Sequence, residues 1–91
     1  MLMMIGYAAY REGDFESSLH FWLKALGQAI SFSTAGFVLD VAVKQENHDA
    51  ILELLKLIEF SDKPKSVTKQ EWTDLIMRTK HAELSLRPEQ P

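Results

Sequence analysis

Three histidines, at positions 20, 48 and 81, are the side chains here whose ordinary chemistry is poised near neutral pH. No two of them lie one helical turn apart, the spacing that lets two imidazoles share a zinc ion. The chain has no cysteine, which removes thiolate metal sites, disulfides and a sulfur nucleophile. Glu16 and His20 fall four residues apart on one helix face, where a solvated ion pair explains them better than acid–base work. No serine, histidine and acid arrangement, phosphate-cradling glycine loop or paired-carboxylate motif occurs. The expectation is a protein that is not an enzyme, with no catalytic residues, no metal site and no cofactor.

Without chemistry of its own, the chain must act through its surface, and composition limits which surfaces are open to it. Apolar residues make up 46% of the sequence and charged residues 25%, a balance that folds in water. At 91 residues it forms one domain and buries roughly two-thirds of its unfolded surface, which leaves a thin stability margin. A net charge of −3 offers no basic footprint for phosphates, so nucleic acid is not expected as a partner. The apolar start, Met1 to Tyr10, lacks the basic residues that open a signal peptide. It is also about half the length a membrane span requires. It reads as a core-facing helix, in a cytoplasmic chain that does not enter membranes.

Helix signals follow one another closely. Residues from Leu2 to Glu12 favour helix, and Gly13-Asp14 supplies a stop followed by a cap. Phe15, Leu19, Trp22, Leu23 and Leu26 then form one apolar stripe that ends near Gly27. Ser33 or Thr34 is placed to cap a third helix carrying Phe37, Val38, Val41 and Ala42, and Asn47 caps a fourth running to Phe60. Pro64 and its polar neighbours form a loop. Thr68 and Glu71 have the capping-box spacing and open a fifth helix with Trp72, Leu75, Ile76, Thr79 and Leu86 on one side. The expected elements are hairpins over 2–27 and 35–60, a helix over 69–86 and a flexible tail from 87 to 91, within a single all-α domain spanning 1–86.

The two hairpins echo each other at a period of 33. Ile5 aligns with Val38, Ala9 with Ala42, Arg11 with Lys44, Asp14 with Asn47, Leu19 with Leu52 and Trp22 with Leu55, without a gap. Stacked hairpins account for such an echo, because neither can bury its apolar faces alone. The run from Ile5 to Leu26, IGYAAYREGDFESSLHFWLKAL, resembles a tetratricopeptide repeat. One well-formed repeat covers about 1–30 and a degenerate one about 33–64. Gly6 and Ala9 stand at that family's close-packing positions, Gly13-Asp14-Phe15 at its turn, Ser18 at its small residue, and Trp22 and Ala25 on its second helix. Ala9 replaces the usual tyrosine, Ile30 the closing proline, and Ile51 a small residue.

The resemblance implies a right-handed stack of two antiparallel hairpins, a small α-solenoid, with residues 67–86 as the helix that covers its end. It also implies a concave groove lined by the first helix of each hairpin. Carried over by position, that groove holds Met3, Tyr7, Tyr10 and Arg11 from the first repeat and Gly36, Asp40, Val43 and Lys44 from the second. Tyrosines suit a binding face, since they offer large contact area for little rotamer entropy. The lysines and asparagines with which some members clamp a peptide carboxylate are absent here, because Met3, Tyr7, Gly36 and Asp40 occupy those places. The expected partner is a peptide or helix of another protein. A homo-oligomer is the alternative, since two repeats are fewer than the roughly three that stand alone, and RNA binding in the manner of pentatricopeptide proteins is a weaker third.

Overall fold

The computed structural model describes residues 2–87. Five helices account for most of them: α1 (Leu2–Arg11), α2 (Phe15–Gln28), α3 (Phe32–Lys44), α4 (His48–Glu59) and α5 (Lys69–Leu86), with no strand among the described residues. No described helix is long and apolar enough to cross a membrane. Each helix packs against the next, and α2 also reaches α4 as α3 reaches α5.

The turns closing the two hairpins are copies of each other. In the first, the Asp14 amide donates to the Ala9 carbonyl (2.9 Å) and that of Gly13 to Tyr10 (3.0 Å). Thirty-three residues later the Asn47 amide donates to Ala42 (2.9 Å) and that of Glu46 to Val43 (3.0 Å). Both are helix ends closed by one residue in the left-handed region, Gly13 at φ 81° and Glu46 at φ 50°. Glycine accepts that conformation freely, whereas glutamate is strained by its Cβ. The next residue in each turn caps the following helix, Asp14 accepting from the Ser17 amide and Asn47 from the Ala50 amide.

Two boundaries fall outside the expected ranges. Ser31, not Ser33 or Thr34, caps α3 by accepting from the Thr34 amide, so the helix begins at Phe32 rather than 35. The earlier start lets Phe32 pack on the core. Helix α2 runs through Gly27 to Gln28. At α5 the expected capping box is present in both directions, Glu71 N to Thr68 Oγ1 at 3.1 Å and Thr68 N to Glu71 Oε1 at 3.0 Å. Glu71 carries a carboxyl pushed below its ordinary value by the Thr68 backbone amide and then by the Thr68 hydroxyl.

The core lies where α2, α3 and α4 converge: Leu19, Trp22, Leu23 and Leu26 meet Val38, Leu39 and Ala42, with Ile51, Leu54 and Ile58 beneath. Trp72 and Leu75 of α5 and Val67 of the preceding loop complete it. Helix α1 covers Trp22. Gly6 is buried directly on the indole, so close that a Cβ there would lie 2.6 Å from Trp22 Cδ1. Trp22 Nε1 is buried with no acceptor among the described residues.

Candidate functional site

The groove between α3 and α5 follows from the phase of two apolar stripes. Helix α5 docks by Trp72, Leu75, Thr79 and Glu83, spaced three and four residues apart. The adjoining stripe, Met77, His81 and Ser85, therefore faces over α3 instead of into it. On α3 the core takes Val38, Val41 and Ala42, which turns Asp40, Val43 and Lys44 outward beside Leu39. Between them lies an open cleft of about 830 Å³ with a mostly apolar lining to which Ala82 and Leu86 also contribute. Val43 and Met77, 42% and 59% exposed, stand on opposite walls. Across the mouth Arg78 Nη2 approaches Asp40 Oδ1 at 3.8 Å, a long and well-solvated pair.

Buried charge holds the α5 wall in place. Glu83 sits among the docking residues at 6% exposure, its carboxylate shared by two partners. Arg87 donates through Nη2 to Oε1 (2.7 Å) and through Nε to Oε2 (2.9 Å) in the forked geometry natural to guanidinium. His48 Nε2, at the start of α4, lies 2.8 Å from Oε2. These contacts, Arg87 first and His48 second, push the Glu83 carboxyl down to about 2. Arg87, placed by sequence in a flexible tail, is thus tied to the last turns of α5, and the rest of that tail, 88–91, lies outside the described residues. Lys80 of α5 pairs with Glu59 at the end of α4 at 3.2 Å, and the buried Thr79 hydroxyl donates to the Leu75 carbonyl.

The residues expected to form one binding face divide into two groups. Asp40, Val43 and Lys44 line the α3–α5 groove, whereas Met3, Tyr7, Tyr10 and Arg11 do not reach it. Tyr10 is half-buried in an aromatic cluster with Phe15, Trp22 and Phe37, at centroid distances of 5.4, 5.8 and 5.5 Å. Tyr7 keeps 45% of its surface exposed while its ring stands edge-on to Trp22 and Phe37. Both tyrosines thus pack the first hairpin onto α3. Met3 is half-buried where the Thr34 hydroxyl meets its sulfur, and Arg11 is exposed at the end of α1. A Cβ at Gly36 would meet no described residue within 4 Å.

Sequence reasoning missed the α5 half of the groove: Met77, Arg78, His81, Ala82, Ser85 and Leu86. One signal was available, since Met77 and Leu84 are large apolar residues off the docking stripe of an amphipathic helix. As for the other histidines, His20 is exposed and His48 is committed to Glu83. Among the described residues no group of three or more histidine, aspartate or glutamate side chains is arranged to hold a metal ion. No family model, curated protein or solved structure matches this chain.

Proposed function

We propose that this domain is a protein–protein interaction module that holds a peptide or short helix of a partner protein in the groove between α3 and α5. The observation that carries this reading is the groove itself, an open apolar cleft of about 830 Å³ whose walls keep Val43 and Met77 in water. Exposed apolar walls rimmed by polar residues mark binding grooves more often than chance surface. The paired hairpin turns and stepwise packing of the helices fit a right-handed tetratricopeptide-like stack. In such a stack α3 and α5 are successive groove-lining helices, α5 serving as both end cap and wall. The activity is adaptor-like or chaperone-like, with no catalysis assigned.

The test is selection of helical peptides from a displayed random library, followed by affinity measurement on a Val43→Asp, Met77→Asp double variant. Both side chains are partly exposed, so the variant should keep its melting temperature within a few degrees. Its affinity for selected peptides should fall at least tenfold, because covering each of these two side chains with a ligand is worth about 1 kcal/mol or more. Unchanged affinity would place binding elsewhere.

One observation favours self-assembly as a second reading. Helix α1 has no charge from Leu2 to Tyr10, and Met4 and Ile5 on it are 72% and 46% exposed. An uncharged apolar face can meet its own copy without like-charge repulsion, even in an acidic chain. Light scattering over a wide concentration range decides it, since a strict monomer removes this reading.

A further inference from the structure

Resting on the groove reading above, the charge at the groove's mouth points to an acidic amphipathic helix, a segment with carboxylates flanking its apolar stripe, as the occupant. Among the described residues Lys44 and Arg78 stand around the cleft against the one carboxylate of Asp40, with the His81 imidazole beside them. The Asp40–Arg78 pair is long at 3.8 Å, and both side chains are more than half exposed, so Arg78 keeps donors to spare. Among the described residues Lys44 and His81 make no ion pair. The whole chain carries −3, so the groove has the opposite sign to the rest of the molecule. An acidic segment is drawn to the mouth and repelled elsewhere, whereas a basic one is drawn away from it. This gives the groove selectivity beyond its apolar walls.

The dimensions suit a helix. From Met77 to Leu86 the α5 wall runs about 13 Å at the ordinary helical rise, and apolar anchors at i, i+4 and i+7 of a docked helix span about 10 Å. Val43 and Leu39 face those anchors from α3. The unbranched side chain of Met77 adapts to anchors of different shape.

The test uses this chain as bait for a displayed library of random helical peptides at low salt. Selected sequences should be enriched in Asp and Glu beside an i, i+4, i+7 apolar stripe. Their affinity should drop about five- to tenfold when salt is raised from about 50 to about 500 mM, as screening weakens exposed pairs. Lys44→Glu, a surface change checked for folding by its thermal melt, should cost about fivefold. A peptide with lysine in place of its glutamates should recover that loss on the variant. Selected peptides that are neutral or basic, and indifferent to Lys44→Glu, yet lost on the Val43→Asp, Met77→Asp variant, would overturn the acidic assignment and leave the groove standing. Binding that survives that double variant would overturn the groove and this inference together. Concentration-dependent self-association that the double variant abolishes would seat a second copy in the cleft and likewise overturn the proposal.

Discussion

Replacing Gly6 by alanine sets two effects of known size against each other. Alanine is the better helix former by about 1 kcal/mol, so on a bare helix the substitution stabilises. Here the new methyl would lie 2.6 Å from Trp22 Cδ1 and 3.0 Å from Cε2. The indole cannot withdraw, because it is fully buried with Tyr7, Tyr10 and Phe37 at 5.4, 5.8 and 4.9 Å between ring centroids. Relief requires α1 to lift from α2, and overpacking of this kind costs about 1–3 kcal/mol, at the upper end where backbone must move. The net expectation is a loss of about 1–2 kcal/mol, or roughly 5–15 °C in melting temperature for a chain of this size. Gly36→Ala is the internal control: it makes the same change inside α3, where no described residue lies within 4 Å of the new methyl. It should stabilise by up to about 1 kcal/mol. Thermal and urea melts followed by circular dichroism read both. If Gly6→Ala is as stable as the parent, α1 does not sit on Trp22 as described.

Two further stability predictions follow from single residues. Glu46 holds a left-handed φ of 50° at the position where the first hairpin uses Gly13, so Glu46→Gly should stabilise by about 0.5–1 kcal/mol after the entropy of freeing the unfolded chain is subtracted. A loss of stability in a urea titration would show that the turn is not strained. Glu83 has its folded pKa depressed from 4.5 to about 2, so its contribution is complete above pH 4.5 and disappears as pH falls through 2. Glu83→Gln should therefore be less stable than the parent at pH 7, with the gap closing between pH 4.5 and 2. A gap that stays constant across that range would mean the carboxylate is not held by Arg87 and His48.

The hairpins were legible in the sequence because their punctuation is chemical. Gly13-Asp14 and Asn47 specify turns and caps directly, and the 33-residue echo of Ala9 in Ala42 and Asp14 in Asn47 reappears as matching hydrogen bonds. The start of α3 was ambiguous because Ser31, Ser33 and Thr34 are all competent caps. Choosing among them takes the packing of Phe32, a tertiary fact that local spacing does not contain. The groove was half legible for the same reason. Its α3 wall could be carried over at the 33-residue period, but that register does not continue into α5. Three residues join α2 to α3, whereas nine join α4 to α5. The ion pair between Asp40 and Arg78 accordingly joins residues 38 positions apart. Glu83 was hidden too, since a carboxylate within an apolar stripe makes sense only once His48 and Arg87 are seen to converge on it.

Whether the α3–α5 groove is the docking site is decided by titrating a selected helical peptide into isotopically labelled protein and following backbone amide shifts. Shifts concentrated at 39–44 and 77–86, with α1 and the exposed side of α2 unmoved, are the predicted result. Shifts centred on Met4, Ile5 and Tyr7, with Val43 and Met77 silent, would contradict it.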